Sequence, residues 1–213
     1  MKILDLFSGL GGWSAAFKER GHQVDTVDIN PEFKPTICMD IMDMTKEQVQ
    51  GYDLILASPP CECFSVASIG HHWGGGKRKY EPKTEEAKRA IALVQHLFQL
   101  VEGRPYIIEN PRGVMRKIAP IKPTTTIWYC KYGDKRAKPT DIWTNRQFSF
   151  QPPCHNGAKN HEAAPRGAKT GTQGIKGSAE RARIPYKLSL DICLQTEKRV
   201  FKRTGILSFG EGI

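Results

Sequence analysis

Cys61 is the residue whose type and position most directly suggest chemistry. It follows the apolar run Leu54–Ala57, which is typical of a short buried strand, and Pro59 and Pro60 end that run directly before the thiol. The carboxyl edge of an α/β sheet is where such sheets bind ligands, and two prolines fix the direction of the sulfur. The pattern therefore predicts that Cys61 is a nucleophile held in a fixed orientation. The alternative is a buried structural cysteine.

Glu109 occupies a similar place on a second strand. Residues 106–108 predict a buried strand that closes on Glu109, Asn110 and Pro111. If the sheet is parallel, Cys61 and Glu109 share one edge. A carboxylate held in a closed pocket can have its pKa raised and act as an acid, whereas an isolated glutamate at such a place is more often a helix N-cap.

A glycine-rich turn near the N-terminus indicates a nucleotide-type ligand. A strand over residues 2–7, the turn 8–12, a helix and a second strand ending at Asp28 form the first half of a Rossmann-like sheet. The turn is not GxGxxG, so a nucleoside ligand without pyrophosphate, such as S-adenosylmethionine, is favoured over a dinucleotide. The alternative is a tight βα turn in another α/β protein. The candidate cofactor residues are Phe7, Ser8, Gly9, Gly11, Gly12, Asp28, Ile29, Asp40, Ile41 and Pro59.

Composition suggests a polyanionic partner and a reducing compartment. The 213 residues carry a net charge of +10, for which nucleic acid is the commonest explanation, although the charge could serve solubility alone. No apolar run is long enough for a membrane span, and no export signal is visible. Six scattered cysteines without framework spacing then predict reduced thiols in a cytoplasmic setting. A monomer is expected.

Two basic segments are predicted to contact this partner. Residues 66–82 predict a mobile lid carrying Lys77, Arg78 and Lys79, with a surface linker as the alternative. Residues 151–178 lose hydrophobic periodicity, and their cations, Arg166 and Lys169 among them, predict a segment that follows a phosphate backbone.

Metal binding is not predicted. Cys154, His155 and His161 are zinc-ligand types, but adjacent Cys and His residues are poorly spaced for one ion. His71 and His72 lack nearby partner ligands, which favours a solvated or phosphate-facing role.

Four segments are expected along the chain. Residues 1–150 form the catalytic domain, 151–180 a small DNA-recognition segment, and 181–193 a helix that returns to the catalytic domain. Residues 194–213 are predicted to be a poorly ordered tail.

Three motifs together carry a family resemblance. Residues 5–12 (Asp-Leu-Phe-Ser-Gly-Leu-Gly-Gly), 59–65 (Pro-Pro-Cys-Glu-Cys-Phe-Ser) and 109–111 (Glu-Asn-Pro) occur in the order found in DNA cytosine-5 methyltransferases. The chain resembles a small, phage-like member of that family. The resemblance implies an α/β fold, namely a Rossmann-like S-adenosylmethionine-dependent methyltransferase sheet with helices on both faces. It also implies methyl transfer to carbon 5 of cytosine in double-stranded DNA.

The resemblance also implies roles for individual residues. Cys61 would add to carbon 6 of a flipped cytosine, and Glu109 would hold its nitrogen 3 edge. Phe7 would lie against the adenine of the cofactor and Asp28 on its ribose, with Asp40 and Ile41 at the adenine edge. Ser65, which closes the cysteine motif, is assigned to DNA contact.

Departures from the family pattern limit what can be carried over. Glu62 stands where the family has glutamine, and Pro111 where it has valine. A glutamine-x-arginine-x-arginine motif is replaced by Lys135-Arg136-Ala137-Lys138. Arg136 and Lys138 are therefore weaker candidates for the catalytic set, as contacts to the target cytosine or to phosphate. The recognition segment is also small, which suggests short or relaxed specificity, or help from a partner.

Two other functions stay open. One is a catalytically idle DNA-binding relative, against which Cys61 and Glu109 argue. The other is the same chemistry on RNA. A nicotinamide-dependent dehydrogenase is disfavoured by the missing GxGxxG.

Overall fold

A computed structural model describes residues 1–75, 79–155, 157–163, 175 and 177–204 of the chain. The strands are β1 (Lys2–Leu6), β2 (Gln23–Asp28), β3 (Ile37–Cys38), β4 (Leu54–Ala57), β5 (Trp73–Gly74), β6 (Glu81–Pro82), β7 (Tyr106–Pro111), β8 (Thr125–Trp128) and β9 (Pro139–Thr144). The helices are α1 (Ala15–Glu19), α2 (Ile69–His72), α3 (Glu85–Leu100), α4 (Met115–Ile118), α5 (Ser178–Ala182) and α6 (Tyr186–Thr204). None of the helices in the described ranges is long and apolar enough to cross a membrane.

The main sheet has the order β3-β2-β1-β4-β7-β9-β8 within the described residues. The first five strands in this order, β3 to β7, are parallel to one another, whereas β9 pairs antiparallel with both β7 and β8. The order runs outward from β1 in one direction and from β4 in the other, so the switch point lies between these two strands. Ligands of open α/β sheets bind at the carboxyl ends of strands at such a point.

The central strands are apolar on both faces because both faces are covered. Neighbouring residues of β1 and β4 enter two different cores: Ile3 and Leu54 belong to one, Leu4 and Ile55 to the other. The first core includes α1 and α6, and the second includes α3. Helices therefore lie on both faces of the sheet, which confirms the predicted α/β architecture.

Helix α3 begins where the sequence predicts. The Thr84 hydroxyl accepts a hydrogen bond from the Ala87 backbone N–H at 3.2 Å, and Glu85 and Glu86 occupy the first turn, where the helix dipole favours acids.

The predicted end of the last helix at residue 193 is wrong. Helix α6 continues to Thr204 because the turn beyond Cys193 is also tied to the body of the protein. The Glu197 carboxylate accepts two hydrogen bonds from Arg20, at 2.9 and 2.8 Å, and lies 2.8 Å from His22 Nε2. Residues 205–213 of the predicted tail lie outside the described residues.

The segment predicted to be a mobile lid, residues 66–82, contains short regular elements in the part that is described. Residues 66–68 form a 3-10 turn, α2 follows, and β5 and β6 pair as a small antiparallel hairpin. Trp73 is buried, stacks on Phe64 and donates its indole N–H to the Cys63 carbonyl at 2.6 Å. An aromatic anchor therefore fastens this segment to the loop that carries Cys61.

Candidate active site

Cys61 and Glu109 lie at the same edge of the sheet, as the sequence predicts. Ala57, the last residue of β4, pairs with Ile108, so the chain beyond each of them enters the same region. Strand β7 extends from Tyr106 to Pro111, and β9 pairs with it from Ile107 to Pro111, so the predicted strand includes Glu109. Glu109 thus projects from a fixed strand position rather than from a loop.

Cys61 is partly buried, and its surroundings hold the thiol protonated. Burial raises the pKa of the thiol, and the negative charges of Glu109 and Glu62 raise it further. Lys138 acts in the opposite direction and lowers it. Glu109 therefore disfavours the thiolate form of Cys61, and Lys138 favours it.

Glu109 is almost fully buried. Its Oε2 atom accepts a hydrogen bond from the Tyr129 hydroxyl at 3.2 Å. Burial raises the pKa of this carboxyl, partly offset by the charge of Lys138. A raised pKa is what a carboxyl needs if it is to carry a proton to a substrate near neutral pH.

Lys138 is the cation that faces both groups. Its ammonium lies 4.3 Å from the centre of the Tyr129 ring and donates to the Arg181 carbonyl at 2.9 Å. Burial lowers the pKa of Lys138, and the charges of Glu109 and Cys61 counteract this. The residue adopts φ of 29°, in the left-handed region that side chains other than glycine rarely occupy, a strain typical of functional positions.

The predicted catalytic role of Arg136 is not supported by its position. Its guanidinium is buried in a pair with Asp134 and also donates to the Arg181 carbonyl at 2.9 Å. Because its donors already bind the protein, Arg136 holds the β8–β9 connection in shape. Lys138 donates to the same Arg181 carbonyl, and the contacts of both residues with the target base or with phosphate stay predictions.

Asn110 is a site residue that sequence reasoning missed. It is fully buried, and its side-chain N–H donates to the Pro59 carbonyl at 2.9 Å. This bond joins the strand that carries Glu109 to the turn that carries Cys61. Its place directly after Glu109 was the available signal.

The candidate cofactor residues meet at the carboxyl ends of β1 and β2. The Asp28 carboxylate accepts hydrogen bonds from the backbone N–H groups of Gly9, at 2.8 Å, and Asn30, at 2.9 Å. Ser8 donates its own backbone N–H to the Val27 carbonyl at 3.0 Å. Phe7 has φ of 56°, so the chain turns sharply as it leaves β1. The adjacent Ile29 is 65% exposed and offers an apolar surface at this edge.

Asp40 and Ile41 differ in how they are presented. The Asp40 carboxylate accepts a hydrogen bond from the Met42 backbone N–H at 2.9 Å and stays partly exposed. Ile41 is buried in the core formed with α3, so its side chain has little surface to offer a ligand. Its packing against adenine stays a prediction.

Gly12 serves chain packing. A Cβ atom at this position would lie 2.8 Å from the backbone nitrogen of Ile184, whereas Gly9 and Gly11 have φ values of 48° and 72° and shape the turn itself. Gly12 thus allows a close approach between the turn and the residues that precede α6, and its contact with the cofactor stays a prediction.

Asp5 is a second residue that the sequence reasoning passed over. It is buried at the end of β1, and its Oδ2 atom has no hydrogen-bond partner within the described part of the chain. Burial raises the pKa of this carboxyl to about 7, and the nearby Asp28 charge contributes in the same direction. An unpartnered buried carboxylate oxygen beside a glycine-rich turn suits a ligand that carries positive charge.

The candidate DNA contacts are described only in part. Ser65 lies in the loop after Cys61, where its hydroxyl accepts a hydrogen bond from the Ala67 backbone N–H at 3.2 Å. Lys79 is exposed beside the β5–β6 hairpin. Lys77, Arg78, Arg166 and Lys169 lie outside the described residues.

Glu62 gives a first testable expectation. Its exposed carboxylate raises the pKa of the Cys61 thiol, so Glu62→Gln should lower that pKa and increase thiolate at a given pH. We expect alkylation of Cys61 by iodoacetamide near neutral pH to become about two- to threefold faster, a modest effect because solvent screens an exposed charge. Peptide mapping by mass spectrometry would follow Cys61 alone.

The control for this variant is Glu32→Gln, which neutralises an exposed glutamate that is not among the groups acting on Cys61. An alkylation profile of Glu62→Gln that coincides with this control would refute the electrostatic effect.

Several known proteins are similar to this chain in sequence. Residues 1–79 match the family model of C-5 cytosine-specific DNA methylases. A protein of frog virus 3 named as a probable DNA (cytosine-5)-methyltransferase is 28% identical over 91% of this chain and 100% of its own length. These matches confirm the resemblance to C-5 cytosine-specific DNA methylases that was drawn from the motifs.

Longer relatives match about half of the chain. A type II methyltransferase of Haemophilus parahaemolyticus is 28% identical over 54% of this chain, which spans 36% of that protein. An orphan methyltransferase of Bacillus phage SPR is 25% identical over 54% of this chain, which spans 27% of that protein.

Proposed function

We propose that the chain transfers a methyl group from S-adenosylmethionine to carbon 5 of cytosine in double-stranded DNA through a covalent adduct with Cys61. One observation carries the proposal: the partly buried Cys61 thiol, the buried Glu109 carboxyl of raised pKa and the partly buried Lys138 ammonium influence one another at the carboxyl ends of β4 and β7. The family match and the names of the relatives support this direction.

The residues at the ends of β1 and β2 fit S-adenosylmethionine. The Asp5 oxygen without a partner is suited to the positive charge of the cofactor, and Asp28 is placed for ribose hydroxyls. Ile29 offers apolar surface for adenine, and Asp40 offers a hydrogen-bond acceptor. The bound cofactor supplies an electrophilic methyl group.

Cys61 makes carbon 5 of cytosine reactive. Its Sγ forms a bond to carbon 6, while Glu109 gives a proton to nitrogen 3 and so prevents charge from building up on the ring. The electron pair released towards carbon 5 then takes the methyl group. Loss of the carbon 5 proton to a base restores the double bond and expels the thiolate, and nitrogen 3 returns its proton to Glu109.

The charge of Lys138 acts on both Cys61 and Glu109 during these steps. Its charge favours the thiolate before attack and again when the thiolate leaves. The same charge opposes the rise in the pKa of Glu109, so it also limits how firmly that carboxyl keeps its proton. Asn110 keeps the two reacting residues in register through its bond to Pro59.

The target cytosine reaches this edge by leaving the duplex, because the reacting atoms of a stacked base are inaccessible to buried groups. The net charge of +10 supports attraction to the phosphate backbone. Ser65 and Lys79 are the described residues that we assign to this contact, with Lys77, Arg78, Arg166 and Lys169 as further proposed contacts.

A direct transfer assay tests the proposal. The chain is incubated with S-adenosylmethionine labelled in its methyl group and with unmethylated duplex DNA of varied sequence, and the DNA is digested to nucleosides. We expect the label in 5-methyldeoxycytidine alone, and no label on duplexes whose cytosines are already methylated at carbon 5. Label on RNA only, or DNA binding without transfer, would contradict the proposal and favour the two alternative functions.

A further inference from the structure

Three side chains of metal-ligand type meet away from the catalytic edge. The ligand atoms of Cys130, Cys154 and His161 all lie within 4.8 Å of one another. Cys130 belongs to the 3-10 turn that follows β8, whereas Cys154 and His161 come from the start of the basic segment. Both cysteines are buried, and His161 is partly buried.

The distances suit a tetrahedral ion. With metal–sulfur bonds of about 2.3 Å and metal–nitrogen bonds of about 2.0–2.1 Å, neighbouring sulfur and nitrogen ligands of a tetrahedron lie about 3.6 Å apart. Cys154 Sγ and His161 Nδ1 are separated by 3.6 Å. Two thiolates and an imidazole select zinc over the hard cations Mg²⁺ and Ca²⁺, which prefer oxygen.

A fourth ligand is within reach. The Asn160 Oδ1 atom lies 3.3 Å from Cys154 Sγ, and the Asn160 side chain also interacts with Cys130. An amide oxygen there, or a water in its place, completes four-fold coordination. His155, the neighbour that made the sequence spacing look unsuitable, is exposed, and Cys130 takes its place from a distant part of the chain.

A second group of ligand types shows the contrast. His22, Cys193 and Glu197 are also close together, but the Arg20 guanidinium binds the Glu197 carboxylate through two hydrogen bonds. A cation already occupies the carboxylate there, and it would repel a metal ion.

We propose that Cys130, Cys154 and His161 bind a structural zinc ion that fastens the start of the basic segment to the β8–β9 connection. That connection also carries Lys138 and the buried pair of Arg136 and Asp134. A backbone hydrogen bond of 2.8 Å from Glu162 to the Lys135 carbonyl already joins the same two parts of the chain. The ion adds a bond network that fixes the segment relative to the catalytic edge.

Metal content and cobalt spectroscopy on the full chain test this proposal without reference to activity. The chain purified under reducing conditions should contain about one zinc per molecule, as expected for a single site. After chelation, titration with Co²⁺ should give thiolate-to-cobalt charge-transfer absorption and the intense visible bands of tetrahedral cobalt, saturating at one equivalent. Added Zn²⁺ should abolish these bands.

Matched variants locate the ligands. Cys154→Ser and His161→Ala should each lower zinc affinity by at least about tenfold, the loss expected when a coordinating group is removed. Cys38→Ser, which removes an exposed cysteine elsewhere, should bind as the parent does. Circular dichroism would confirm that each variant is folded, and His161→Ala retains both thiols should Cys154→Ser fail to fold.

Three outcomes would overturn the proposal. One is octahedral cobalt spectra or no saturable binding by the folded parent chain. Another is unchanged zinc content in folded His161→Ala. The third is a loss of two titratable thiols in the freshly purified, metal-free chain, which would show that Cys130 and Cys154 form a disulfide instead.

Discussion

Replacing Cys61 with serine is expected to reduce methyl transfer by at least about a thousandfold, because a serine hydroxyl is a far weaker nucleophile than a thiolate near neutral pH. The two side chains are close in size, and Cys61 is only partly buried, so the fold should be retained. Cofactor binding should also persist, since the candidate cofactor residues lie mainly at the ends of β1 and β2.

Trapping on DNA that contains 5-fluorocytosine measures this effect most directly. Fluorine at carbon 5 cannot leave as a proton does, so after methyl transfer the parent chain should stay bound to the DNA through Cys61. The adduct would survive denaturing electrophoresis, and Cys61→Ser should form none.

Cys63→Ser is the matched control, because Cys63 lies two residues away and is also partly buried. Only its backbone carbonyl has a structural partner among the described contacts, the Trp73 indole N–H. Equal trapping by Cys61→Ser and the parent chain, or loss of trapping in Cys63→Ser alone, would exclude Cys61 as the nucleophile.

The parts of the site that sequence predicts are those fixed by local pattern. An apolar run ended by two prolines identifies the end of β4, and alternation of strands with a glycine-rich turn and a helix identifies the parallel sheet. Parallel strands bring their carboxyl ends together, so the sequence alone assigns Cys61 and Glu109 to one edge, where the fold places them. The position of Asp28 at this edge follows in the same way, because Asp28 ends the parallel strand β2.

The parts that sequence does not predict depend on contacts between distant segments. Arg136 is a free cation in the sequence, and only the folded chain shows its pairing with Asp134. Gly12 has the character of a ligand-binding glycine until Ile184 is placed against it. Cys130 joins Cys154 and His161 through tertiary structure alone, because no sequence spacing links them. In each case the deciding partner comes from a segment that local pattern does not connect to the residue.

Replacing Glu109 with glutamine should change two properties in opposite directions. Methyl transfer should fall by about 10²–10⁴-fold, because an amide cannot supply the proton that nitrogen 3 needs as Cys61 adds. The glutamine keeps the size of the side chain and an oxygen that can accept from the Tyr129 hydroxyl, so the pocket should survive. The thiol, however, should become more reactive, since the Glu109 charge raises the pKa of Cys61.

This divergence separates a chemical role from a structural one. If Glu109 only maintained the shape of the pocket, its loss would lower methyl transfer without moving the pH profile of Cys61 alkylation. We expect the profile of Glu109→Gln to shift to lower pH than that of the parent chain. Tyr129→Phe is the control, because it removes the hydroxyl that bonds Glu109 while keeping the carboxyl and the ring beneath Lys138.

The control should keep substantial activity, because the proton donor is still present. Parallel loss of transfer in both variants, with no shift in the alkylation profile of Glu109→Gln, would assign Glu109 to the architecture of the pocket. Lost transfer together with a more reactive thiol would show that the loss does not come from a weaker nucleophile, as expected if Glu109 supplies the proton to the base. Nucleophilicity at Cys61 and protonation at Glu109 would then be two separable contributions to one reaction.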